Sequence, residues 1–118
     1  MISKNSPVVY IASKLSGNIK ENVEKTKEYS RFVIEQGCVP LNPILNLNGV
    51  ISEETGREDA LEIDIRLLHK ADVLWAFGPP TPGMIEELYE AKLMGIPRRV
   101  FTTYCKEVRH GEDGELFE

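Results

Sequence analysis

The sequence predicts a three-layer α/β/α domain of the Rossmann or flavodoxin type, built on a mainly parallel sheet of four or five strands. Three observations predict it. Short apolar runs rich in β-branched residues alternate with helix-length amphipathic segments along most of the chain. Polar loops of Ser, Asn, Gly and Pro follow the strands and precede the helices. The 118 residues suffice for one core and not for two.

Pro7-Val8-Val9-Tyr10-Ile11-Ala12-Ser13 reads as a buried first strand, followed by the polar loop Ser13-Lys14-Leu15-Ser16-Gly17. Asn18 is an N-cap with Glu21 as capping-box partner, and Gly37 is the stop, so the first helix spans about 19–36. Cys38-Val39-Pro40-Leu41 is a weak second strand. Pro40 cannot donate to a ladder, which places this strand at an edge. Residues 42–56 read as one long connection, a length that is often functional. A second helix covers Arg57 to Ala71, and Asp72 to Gly78 form the third strand. Pro79-Pro80-Thr81-Pro82-Gly83 is a rigid loop, Met84 to Met94 a helix ended by Gly95, and Arg99 to Thr103 the last strand. The domain is thus 1–103, with 104–118 a loosely held, polar, acidic tail.

Fourteen Lys and Arg against nineteen Asp and Glu give a net charge of −5, which argues against long DNA or RNA as a partner. Cys38 and Cys105 lie far apart and form no CxxC, so a zinc site and a disulfide scaffold are not expected. No stretch approaches the roughly 20 apolar residues of a membrane span, and the first residues lack the apolar core of a signal peptide. A soluble, cytoplasmic protein is expected.

Two carboxylates stand out. On a helical wheel Asp64 falls among Ala60, Leu61, Leu67, Leu68 and Ala71, on the face that meets the sheet. Asp is rarely buried there without a purpose, whether as a cap or ion-pair partner or as a functional group. Glu87 falls between Ala91 and Met94 at the edge of an apolar stripe, whereas Glu86 and Glu90 face solvent. Its place near a helix start favours an ionised carboxylate, and a nucleophile and an ordinary helix Glu are equal readings from the wheel. The loops Ser13–Asn18 and Thr81–Gly83 both precede helices and offer hydroxyls and backbone N–H groups to an anion. His69 and His110 have no companions at ligand spacing, and no metal constellation or Ser-His-Asp set is visible.

Three segments resemble one family, the nucleoside 2-deoxyribosyltransferase-like superfamily, which includes the 2′-deoxynucleoside 5′-monophosphate N-glycosidases. Val9-Tyr10-Ile11-Ala12-Ser13 with its Gly17 loop is similar to that family's first strand and phosphate loop. Asp64 ahead of Ala71-Asp72-Val73 resembles its Asp-to-Ala-Asp-Val spacing. Gly83-Met84-Ile85-Glu86-Glu87-Leu88-Tyr89-Glu90-Ala91 resembles its nucleophile helix, with Glu87 in the nucleophile position. The resemblance covers about residues 8–103. It implies cleavage of the N-glycosidic bond of a 2′-deoxynucleoside or its 5′-monophosphate, with Glu87 attacking C1′ and Asp64 assisting the leaving base. It further implies Ser13, Ser16, Gly17, Asn18, Thr81, Gly83 and Met84 around the ligand, Tyr10 and the 42–50 loop near the base, no cofactor, and a homodimer. Thr81 stands where the family's transferases carry Asp and its nucleotide glycosidases a hydroxyl residue; Tyr89 stands where the family has Gly. A catalytically silent nucleotide binder and a structural α/β interaction domain are the competing readings. Asp64 is expected to lie deeper than Glu87.

Overall fold

A computed structural model describes residues 1–51 and 56–108. The element order is β1 (Val8–Ala12), α1 (Ile19–Glu35), β2 (Val39–Leu41), α2 (Pro43–Leu47), α3 (Arg57–Leu68), β3 (Val73–Phe77), α4 (Pro82–Leu93) and β4 (Arg98–Phe101). The four strands form one parallel sheet in the order β2-β1-β3-β4, so Pro40 does sit in an edge strand. From β1 the chain moves outward to β2 through α1, then doubles back across β1 to β3 through α3.

Strand side chains alternate between faces. Val9, Ile11, Trp75 and Phe77 pack with Tyr29 and Val33 of α1 on one side. Tyr10, Ala12, Leu74 and Ala76 pack with Leu68 of α3 and Met84, Leu88 and Ala91 of α4 on the other. Reversing direction and changing face together keep every crossover of one hand, as parallel strands require. The result is a layer of helix, a sheet and a second layer of helices.

The 42–56 connection is not one loop, because residues 43–47 form α2. Asn42 caps it through Leu45 N–H, and Pro43 at its first position loses nothing there, since that N–H has no helical partner. Residues 52–55 lie outside the described residues. The helix expected to reach Ala71 ends at Leu68, and α4 begins two residues earlier than expected, at Pro82. The first five residues of the expected loose tail are held. Glu107 bridges back antiparallel to Phe101, and its carboxylate takes two hydrogen bonds from Arg99 at 2.8 and 2.7 Å. Residues 109–118, including His110, lie outside the described residues. Among the described residues no helix is long and apolar enough to cross a membrane.

Candidate active site

In an open parallel sheet the ligand crevice forms beyond the carboxyl ends of the strands, where the strand order reverses. Here that point lies between β1 and β3, and a cleft of about 390 Å³ opens there. This is within the size range of small-molecule sites. One wall is the β1–α1 loop with Ser13, Leu15 and Ser16. A second is α2 with Ile44 and Leu47, and a third is α3 with Arg57, Ala60, Leu61 and Asp64. The start of α4 closes it with Thr81, Pro82, Gly83, Met84 and Glu87. The lining is mostly apolar, and the carboxylates in it are Asp64 and Glu87.

Glu87 flanks the buried side of α4, beside Met84, Leu88 and Ala91. From there its carboxylate meets the Tyr10 hydroxyl, which donates to Glu87 Oε2. Tyr10 is completely buried in the middle of β1. Burial pushes Glu87 up to about 8; the Tyr10 hydrogen bond pulls the other way, and Asp64 adds to the push. The expected ionised Glu87 is therefore corrected. The helix field fades within the first turn, and Glu87 lies beyond it, so desolvation wins. Burial also raises Asp64, to about 6, and its Oδ1 is buried without a hydrogen-bond partner. The smaller push on Asp64 reverses the expected order of depth: Glu87 is the more desolvated of the two. Burial, with Glu87 and Asp64 nearby, holds the Tyr10 hydroxyl far above its ordinary range, so it stays a donor.

Of the residues singled out from sequence, Ser13, Ser16, Asp64, Thr81, Gly83, Met84 and Glu87 come together around the cleft. Tyr10, Gly17 and Asn18 do not line it. Tyr10 lies beneath Glu87 and cannot hold a base, because none of it is exposed. Asn18 is spent on α1, its side chain accepting from Glu21 N–H at 3.1 Å. Gly17 turns the chain into that cap with φ +99°. The hydroxyls of the expected anion site also have internal partners. Thr81 Oγ1 accepts from Met84 N–H at 3.2 Å, and Ser13 Oγ lies 2.8 Å from Thr26 Oγ1.

The 42–50 stretch expected near the ligand does line the cleft, through Pro43, Ile44, Leu47 and Asn48; sequence reasoning missed Arg57 and the fact that residues 43–47 form the helix α2. Asn42-Pro43 was the available signal, an N-cap residue followed by Pro at the first helical position. Asn42 does more than cap. It is buried, and its amide reaches Thr26 and Ser30 of α1, which ties the α2 wall to the opposite layer.

Residues 7–101 match the family model for a domain of unknown function, DUF7768. No curated protein sequence matches the chain. Among solved structures, the fold is similar to the 2-deoxyribosyltransferase of the psychrotolerant bacterium Bacillus psychrosaccharolyticus, a biocatalyst for nucleoside synthesis. The TM-score is 0.62 at 20% identity, over 80% of this chain and 72% of that one. It is also similar to the 2-deoxyribosyltransferase of Leishmania mexicana, with a TM-score of 0.64 at 20% identity over 81% of this chain. The match spans 64% of the Leishmania protein's length. These likenesses establish the fold.

Proposed function

The chain belongs to the DUF7768 family, and we propose that its cleft cleaves the N-glycosidic bond of a 2′-deoxynucleoside or its 5′-monophosphate through a glycosyl-enzyme ester. The observation that carries this reading is the meeting of Glu87 and Asp64 at one apolar cleft, with the Tyr10 hydroxyl bonded to Glu87. The fold shared with two 2-deoxyribosyltransferases supports it.

The chemistry follows a retaining glycosidase. An ionised Glu87 oxygen attacks C1′ while the C1′–N bond breaks, and the electron pair leaves with the base, which takes the proton held by Asp64. Water then attacks C1′, giving its proton to Asp64 and releasing Glu87. If a second base attacks instead, the outcome is transfer. Tyr10 holds Glu87 on line and stabilises its charge.

The cycle needs one proton on the two carboxylates together. With one group raised to about 6 and the other to about 8, the pair carries one proton between those values. The cycle requires that proton on Asp64 when Glu87 attacks, and burial pushes both groups upward. The upward push on Glu87, the nucleophile of this scheme, is what favours the second reading, a nucleotide binder without turnover.

A homodimer belongs to the same proposal. Ile85, Tyr89 and Leu93 recur at helical spacing on α4 and are exposed, a stripe that a second copy would cover. Light scattering at micromolar concentration checks it, and a monomer removes it.

The test of function is base release. The protein is incubated with the common 2′-deoxynucleosides and their 5′-monophosphates, with and without a second free base, and products are separated by chromatography beside thermal-shift binding. Release lost in Glu87→Gln is the expected result. Binding without release in the native protein leaves the binder.

A further inference from the structure

Resting on that reading of the cleft, a further feature concerns its sugar end. Asn42, Thr26 and Ser13 form a hydrogen-bonded chain that runs from the cap of α2 through α1 to the cleft. Thr26 is fully buried and Asn42 nearly so. Two backbone groups fix the Asn42 amide. Leu45 N–H needs an acceptor and faces Oδ1 at 3.4 Å; the Thr26 carbonyl can only accept and faces Nδ2 at 3.2 Å. In that orientation Nδ2 has two hydrogens for three acceptors, the Thr26 carbonyl, Thr26 Oγ1 at 3.0 Å and Ser30 Oγ at 2.9 Å.

Nδ2 can only donate, so it offers the Thr26 hydroxyl no acceptor, and Thr26 Oγ1 must place its own hydrogen elsewhere. A hydroxyl buried this completely is costly without an acceptor. Ser13 Oγ, at 2.8 Å, is the acceptor that the structure supplies. With Thr26 as the donor Ser13 accepts, which leaves its own proton to point into the cleft that it lines. A serine in an open loop donates or accepts as its partner demands. This one has its polarity set from behind.

We infer that Asn42 and Thr26 are positioning residues that set Ser13 as a hydrogen-bond donor toward an acceptor oxygen at the ligand's sugar end, a 5′-hydroxyl or a 5′-phosphate. Glu87 and Asp64 take C1′ and the base, and the C5′ end then points toward Ser13, Ser16 and Thr81. Asn42 couples this donor to the α2 wall, because the same amide caps that short helix.

The test measures dissociation constants by calorimetry in a Glu87→Gln background, so that ligand is not consumed. The probes are the four common 2′-deoxynucleosides and their 5′-monophosphates. Ser13→Ala is expected to weaken the monophosphate about 10- to 100-fold if the acceptor is a phosphate oxygen, and both ligands equally, about 3- to 10-fold, if it is the hydroxyl. Thr26→Val loses part of that affinity, and Thr26→Ser restores it. In the Ser13→Ala background Thr26→Val adds no further loss, since it acts through Ser13. Losses that add, or native affinity in Thr26→Val, overturn the inference. The predicted binding pattern without base release by the native protein upholds the inference and removes the glycosidase reading. No binding of any of these ligands overturns both.

Discussion

The two faces of the sheet are built on opposite principles. Behind the sheet, under α1, Tyr29 stacks on Phe77 at 4.3 Å and Phe77 on Phe101 at 5.1 Å, with Phe32 and Trp75 filling the sides. In front, the same strands present Tyr10, Ala12, Leu74 and Ala76. Ala12 and Ala76 are register partners at the strand ends, so this face is thin where α4 begins. A polar hydroxyl, Tyr10, stands one step behind them and reaches Glu87. The rear face uses bulk to exclude water. The front face carries small residues where α4 begins and accepts two desolvated carboxylates. One strand period supplies both, because successive side chains point opposite ways.

The sharpest way to break this contrast is to change one carboxylate on the front. Glu87→Gln should lower base release by at least roughly 10³-fold, as removal of a covalent nucleophile does, while the fold and ligand affinity stay close to native. Glu86→Gln, one residue away and exposed, should change release less than about 3-fold, in line with surface substitutions. Product chromatography reads both. Comparable losses in the two variants would dissolve the distinction between α4's front flank and its outer side.

A rear-face deletion should do the converse. Phe77→Ala removes a ring that is 1% exposed and stacked with both Tyr29 and Phe101, and should cost about 3–5 kcal/mol of unfolding free energy. Urea denaturation measures it. Turnover per folded molecule at low temperature should persist. A loss of turnover without loss of stability would show that the rear face is not merely structural.

Much of this was legible in the residues, and unevenly. The alternation of strand and helix, the Pro40 edge strand and the wheel positions of Asp64 and Glu87 follow from period and from a missing N–H. Those are local properties. The Tyr10–Glu87 bond joins residues 77 positions apart and has no local signature. The resemblance implied Tyr10 near the base, and a matched strand segment does not say what packs over its residues. The protonation of Glu87 was misjudged for a related reason. The helix start is visible in sequence; the desolvation that overrides it depends on the packing of β1 and α4 together. Asn42-Pro43 is a readable helix start, but the helix it opens is only five residues long and is followed by Asn48 and Gly49, so the stretch reads as a loop.

The two front carboxylates should also make stability and activity depend on pH in a way the rear face does not. Glu87 is raised from 4.5 to about 8 and Asp64 from 3.8 to about 6. For a raised acid the native state holds more protons than the unfolded chain between the two values. Its stabilisation is therefore complete below the unfolded value and is lost as pH climbs through the folded one. Stability should fall from about pH 4 toward pH 8. Glu87→Gln should remove much of that slope and raise stability at pH 8 by on the order of 2 kcal/mol. Melting scans across pH check this, and a flat native profile would contradict it. Base release should be bell-shaped between the same values. On the acid limb both groups hold protons and no nucleophile exists; on the alkaline limb neither can protonate the base.

The smallest effect tests whether Thr81 belongs to the front machinery or only to the frame that supports it. Its hydroxyl accepts from Met84 N–H and caps α4, so Thr81→Ala should cost about 1 kcal/mol of stability whatever its role in binding. That cap also holds the turn that carries Gly83 and Met84 at the cleft edge. A hydroxyl keeps a proton to donate while it accepts, so Thr81 can cap the helix and still donate to a phosphate oxygen. The two roles separate by ligand. A frame role weakens nucleoside and monophosphate alike, because both meet the displaced turn. A phosphate contact weakens the monophosphate further, by about 10-fold or more for a bond to a charged acceptor. Thr81→Ser, which keeps cap and donor, should restore both. Paired calorimetric titrations of the nucleoside and its monophosphate decide it. Equal losses confine Thr81 to the frame and leave Ser13 and Ser16 as the hydroxyls facing the sugar end of the cleft.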